Sequence, residues 1–127
     1  MNYLLDTHTI ICFSVDNSKL SDEVIGIIKD TNNLMYVSLA SIWEMAIKLK
    51  IKKLLLEIPL IDFVNEIITN NFLILPIEIE HIVYLNNLEL YHNDPFDRLI
   101  IAQSKCEDLR IISKDIKFDN YDIERVW

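Results

Sequence analysis

Short apolar runs of strand composition alternate along this chain with longer segments whose apolar residues recur at helical spacing. That alternation limits the possible folds more than any other feature. NYLLD (2–6), LMYVS (34–38), FLILPI (72–77) and LRIIS (109–113) read as strands, with IERVW (123–127) as a short fifth. A helix is expected from Thr7 or His8, and another over 21–30, where Ser21 caps a first turn rich in acids and Val24, Ile27 and Ile28 share a face. SLASIWEMAIKLK repeats Ile42, Met45, Ala46 and Leu49 at helical spacing, and PLIDFVNEIITNNF starts at Pro59 with Phe63, Ile67 and Ile68 on one side. EIEHIVYLNNLEL (78–90) reads as helix. In DPFDRLIIAQSKCED, Asp94 is the N-cap and Pro95 the first helical residue. Strands alternating with helices predict an α/β fold, a mostly parallel sheet of four to five strands covered on both faces.

At 127 residues, one domain spanning 1–127 is the economical reading, burying roughly two thirds of the surface its unfolded chain exposes. A hydrophobic content of 51% with three prolines and one glycine argues against disorder or a linker. No apolar run approaches the ~20 residues of a membrane helix. MNYLLD has no basic segment and meets an aspartate at position 6, so a cytoplasmic chain is expected. Cys12 and Cys106 have no CxxC partner and are expected as buried free thiols.

In an open parallel sheet, ligands bind where strands end and helices begin. Asp6 ends the first strand, Glu44 lies early in the helix after the second, Asp97 opens the 95–107 helix, and Asp115 follows the fourth strand. All four should share one edge. Singly, each has a modest explanation: Asp6 as a cap, Ser41-x-x-Glu44 as a capping box or a Glu44–Lys48 pair, Asp94 and Asp97 as helix-start acids, Asp115 as an Asx-turn. Together they make a cluster of like charges, which raise each other's pKa and call for a compensating cation. Oxygen ligands point to Mg²⁺ or Mn²⁺, and the chemistry such a site serves is usually phosphoryl or phosphodiester transfer.

A single glycine, Gly26, excludes a P-loop, a GxGxxG turn and a GxSxG elbow, and His8, His81 and His92 form no HExxH. His92 fits a loop histidine bonded to a helix start better than a site residue. The net charge of −8 opposes nucleic-acid binding unless the acids are gathered and neutralised by cations. Lys48, Lys50, Lys52 and Lys53 supply four of the twelve basic residues within six positions, fitting equally an RNA-guiding surface and a solvated face. Trp43 and Phe96, beside the acids, are expected to pack in the core rather than to stack on bases.

LLDTHTII, SLASIWEMAIK, HNDPFDRLIIAQ and ISKDIKFDNY, in this order and at these separations, resemble the PIN-domain ribonucleases, and within them the VapC-type toxins of toxin–antitoxin modules. The resemblance covers essentially the whole chain. It implies a three-layer α/β/α sandwich and a Mg²⁺- or Mn²⁺-dependent endoribonuclease whose carboxylate quartet falls on Asp6, Glu44, Asp97 and Asp115. Asp6, Asp97 and Asp115 would bind one or two ions, with Glu44 as a further ligand or as the base for the attacking water. Cleavage of single-stranded RNA would leave 5′-phosphate and 3′-hydroxyl ends. The resemblance implies supporting roles for Asp94 in capping, for Ser113 in orienting Asp115 or a metal-bound water, and for Arg98 in anchoring an acidic neighbour or contacting phosphate. It implies a VapB-type antitoxin partner and a homodimer. Asn93 departs from the arginine common there, the KIKKLLL bend lacks an expected glycine, and Asp119 competes with Asp115 as the last acid. Two other readings stay open: a Mg²⁺-dependent phosphatase or phosphotransfer domain with Asp6 as nucleophile, and a noncatalytic binding module whose acids only cap helices.

Overall fold

The five apolar runs become the strands of a single sheet in a computed structural model that describes residues 1–127. They are β1 (Asn2–Leu5), β2 (Leu34–Ser38), β3 (Leu73–Leu75), β4 (Arg110–Ile112) and β5 (Arg125–Val126), ordered β3-β2-β1-β4-β5 with every neighbouring pair parallel. Parallel pairing requires a crossover between neighbours, and helices supply most of these connections. They are α1 (Thr7–Val15), α2 (Asp22–Lys29), α3 (Leu39–Lys50), α4 (Leu60–Thr69), α5 (Ile79–Asn86) and α6 (Pro95–Glu107). Short 3-10 turns cover Asn17–Lys19 and Ile116–Asn120.

Alternation along the strands divides the apolar side chains between two cores. Tyr3, Leu5, Val37 and Ile112 pack with Ile10 of α1, Val24 of α2, Met45 of α3, and Phe63 and Ile67 of α4. Leu4, Leu75 and Ile111 face the other way, onto Ile100 and Ile101 of α6 with Phe118 and Tyr121. The result is the expected three-layer α/β/α sandwich. Ser38 and Gln103 tie the layers with a buried bond of 2.5 Å, and the Gln103 amide donates to the Pro76 carbonyl.

Several local expectations need correction. β2 runs into α3 without a loop, so the cap is the last strand residue, Ser38, whose hydroxyl accepts from the Ala40 N–H. Ser41 and Glu44 are therefore no capping box. They lie inside the helix on its buried face with Ala40 and Met45, while Ala46 and Ile47 are exposed. Ile68 is exposed, leaving Phe63 and Ile67 as the buried side of α4. α5 ends at Asn86, not at 90: the Arg98 guanidinium donates to the carbonyl of Leu85 in its last turn and to those of Leu88 and Glu89 beyond it. Cys12 is buried as expected, but Cys106 is only half-buried. In the basic bend after α3, Lys52 adopts φ 60°, the left-handed conformation that glycine adopts without cost.

Candidate metal centre

Asp6 takes its place as the residue between β1 and α1. It caps the helix, with Oδ1 accepting from the Thr9 N–H (2.8 Å) and the Thr9 hydroxyl (2.5 Å) and Oδ2 from the Ser113 hydroxyl (2.5 Å). Burial raises its pKa, and these donors oppose that rise. Ser113 also accepts from the Asp115 N–H (3.0 Å), so one hydroxyl joins Asp6 at the end of β1 to the segment after β4. Its partner proves to be the Asp6 carboxylate together with the Asp115 backbone.

Glu44 reaches the same edge from the first turns of α3. Its Oε1 accepts from the Thr7 hydroxyl (2.6 Å), with the Ser41 hydroxyl 2.9 Å from Thr7, and its Oε2 pairs with Lys48 at 2.7 Å. Lys48 thus belongs to the acidic site and is not part of a free basic surface, whereas Lys50, Lys52 and Lys53 are exposed. Glu44 raises the Lys48 pKa, with smaller contributions from Asp94 and Asp97.

Asp115 follows β4 and caps the 3-10 turn, Oδ1 accepting from the Lys117 N–H (2.9 Å) and Oδ2 facing His92 Nε2 at 3.3 Å. Asp119 points elsewhere, held by both guanidinium arms of Arg125 at 2.8 and 3.0 Å, which lower its pKa. Asp94 caps α6 with Oδ1, accepting from the Phe96 and Asp97 N–H groups. Of the two roles expected for Arg98, it does not anchor an acidic neighbour: its guanidinium grips backbone carbonyls.

Asp97 differs from all of these. Its carboxylate makes no hydrogen bond or ion pair within the chain, and its pKa is pushed up to about 7 by burial first, then by the charges of Asp94, Asp6, Glu44 and Asp115. The same interactions show that the four predicted carboxylates share one edge. The tightest group is His92, Asp97 and Asp115, one ligand atom from each lying within 4.8 Å of the others; Asp6 and Glu44 stand outside that trio. A part-buried carboxylate with both oxygens free amid like charges fits a hard divalent cation.

Reading from the sequence underrated His92, which is buried and bonded to Tyr121 and Asp115 rather than to the α6 start. It also passed over the hydroxyls of Thr7 and Thr9, whose only signal is the THT directly after Asp6, and took Ser41 for a cap where it instead lies 2.9 Å from the Thr7 hydroxyl. Trp43 is not core: it is 57% exposed, edge-on to Phe96 with ring centroids 5.1 Å apart. A surface depression of about 770 Å³ lies at the opposite edge among Met1, Asn2, Arg110 and Glu124.

With this geometry in place, comparison with known proteins decides the family. The PIN domain family model matches residues 3–124. The chain is a member of the PIN domain family. Among solved structures, this PIN domain is similar to VapBC2 from Rickettsia felis bound to a DNA fragment from their promoter (TM-score 0.74, 16% identity, 100% of this chain and 99% of that one). It is also similar to DNA-bound VapBC from Salmonella typhimurium (0.72, 16%, 99% and 97%) and to VapBC-1 from nontypeable Haemophilus influenzae (0.70, 18%, 99% and 97%). At these identities the likeness is one of fold. A search of curated protein sequences gave no match. No helix is long and apolar enough to cross a membrane.

Proposed function

We propose that this PIN domain is a divalent-metal-dependent endoribonuclease and acts as the toxin of a toxin–antitoxin pair. The observation that carries the metal reading is Asp97: a carboxylate raised to about 7 by burial and then by its charged neighbours, with no hydrogen bond in the chain. Counting lone pairs assigns the other roles. Asp6 has Oδ1 filled by Thr9 and offers Oδ2, which Ser113 only half occupies. Asp115 keeps one acceptor position on each oxygen. Asp97, Asp115 and Asp6 would hold Mg²⁺ or Mn²⁺, with Asp97 as the residue free to bind through both oxygens. The bound cation supplies charge neutralisation at a phosphate and a lowered pKa for water.

Glu44 keeps one acceptor position on each oxygen beyond Thr7 and Lys48, and it orients the attacking water or takes its proton. Lys48 carries positive charge to the rim of the site. Lys50, Lys52 and Lys53 lie exposed further along and would guide an RNA backbone. The solved relatives named above are VapBC complexes, which supports a VapB-type antitoxin as partner; a second copy of the chain remains part of the same reading.

Neither competing reading accounts for the arrangement. Asp6 as a phosphoryl acceptor would need room for in-line attack on a tetrahedral phosphorus, but it is 6% exposed and its one half-open oxygen is held by Ser113, leaving space for an ion rather than a phosphoryl group. Helix capping explains Asp6, Asp94 and Asp115, but Glu44 and Asp97 cap nothing. The test is purified protein with total RNA, with and without EDTA, beside Asp97→Asn. Cleavage abolished by chelation and by the substitution is the expected result, and cleavage surviving both overturns the proposal. Co-purification with the product of an adjacent small open reading frame tests the antitoxin.

A further inference from the structure

We propose that His92 is a positioning residue for Asp115: the Tyr121 hydroxyl holds its ring in one tautomer, and the ring in turn aims the Asp115 carboxylate toward the cation that Asp97 receives. This rests on the metal-dependent reading above and deepens it.

The tautomer follows from counting hydrogens. A phenol oxygen has one proton and two lone pairs. Tyr121 Oη accepts from the Tyr91 N–H (3.1 Å) and the His92 N–H (2.8 Å), which occupies both lone pairs. Its proton is what remains to meet His92 Nδ1, 3.4 Å away, so Nδ1 accepts. A neutral imidazole that accepts at Nδ1 carries its proton on Nε2. That nitrogen lies 3.3 Å from Asp115 Oδ2 and donates to it. An Nε2 that holds a proton is closed to a metal, so His92 acts through Asp115 although it sits within ligand reach of Asp97.

The ring has little freedom to do otherwise. It is 5% exposed, stacked on Tyr121 (centroids 5.5 Å apart, interplanar angle 27°) and tilted against Phe118 (4.9 Å). Asp115 and Tyr121 flank the same 3-10 turn, so the path Tyr121, His92, Asp115 and back along the turn is a closed loop. With Lys117 N–H on the other oxygen, Asp115 is fixed at both ends. Asp97, beside it, is fixed at neither.

Bond donation and mere packing are separable by two substitutions. His92→Gln keeps an N–H donor near the Nε2 position with less ring packing. His92→Phe keeps the ring and loses the donor. Mn²⁺ affinity is measured by calorimetry on the full chain, with thermal melting confirming that each variant folds. Wild type and His92→Gln should agree within about threefold, and His92→Phe should bind about 10–100-fold more weakly, the usual cost of losing a partner behind a metal ligand. Nitrogen-15 shifts of the His92 ring should show the proton on Nε2 both without metal and with saturating Mg²⁺. Wild-type affinity in His92→Phe, equal losses in both variants, or an Nε2 deprotonated by Mg²⁺ would each overturn the proposal. Failure of the wild type to bind Mn²⁺ at all would instead overturn the metal reading on which it stands.

Discussion

Two clusters in this molecule combine a buried histidine with two carboxylates, and they are in opposite states. In one, Glu80, His81 and Glu107 join α5 to α6. His81 Nδ1 accepts the Glu78 N–H at 2.9 Å, so Nε2 carries the proton and donates to Glu107 at 2.9 Å, with Glu80 at 4.0 Å. Both ring nitrogens are paired, and the cluster is a latch between helices. In the other, His92 and Asp115 are likewise paired, but Asp97 is left over, crowded by negative charge and bonded to nothing. Proximity of ligand-type atoms does not separate the two. Burial amid like charge does: Asp97 is half-buried beside Asp94, Asp6, Glu44 and Asp115, whereas Glu80 is 65% exposed to water.

Asp97→Asn should break the contrast most sharply, because it moves binding and stability in opposite directions. Calorimetry should show Mn²⁺ affinity falling by more than about 100-fold, beyond the roughly 10–100-fold cost of losing a supporting partner. The metal-free chain should melt at a higher temperature, since a charge held against its neighbours is gone. Acid should produce the next largest effect. Asp97 titrates at an ordinary carboxylate value when unfolded and at about 7 when folded, so between those values the folded chain holds more protons. Stability of the metal-free protein should therefore fall as pH rises through that window. Metal must displace the same proton, so Mn²⁺ affinity should drop about tenfold for each pH unit below about 7.

At the latch the signature should be reversed. His81→Leu leaves the Glu78 N–H and the Glu107 carboxylate without their partner, and should cost about 1–3 kcal/mol in denaturant unfolding with Mn²⁺ affinity unchanged. Asp119→Asn should do least. It loosens an exposed pair with Arg125, so a small drop in melting temperature with unaltered metal affinity is expected.

What the sequence makes legible, and what it hides, follows the same physical line. The strands and helices could be read because each carries its own period, and the acid edge could be read because a parallel sheet brings its strand ends together. Side-chain bonding could not. His92 meets Tyr121 29 residues further on, Ser113 meets Asp6 across 107, and no local pattern announces either. The helical period suggested Ile42, Met45, Ala46 and Leu49 as the inner face of α3, yet Ser41 and Glu44 turn inward because Thr7 and Lys48 satisfy Glu44 there. Asp115 is favoured over Asp119 by its place directly after the fourth strand, and the fold separates them further by pairing Asp119 with Arg125.

Lys52 holds a backbone conformation in which its own Cβ crowds the chain, at the bend just beyond the helix that carries Glu44. A glycine at this position would relax the bend and leave every carboxylate as it was, while removing one of the three exposed lysines proposed to guide RNA.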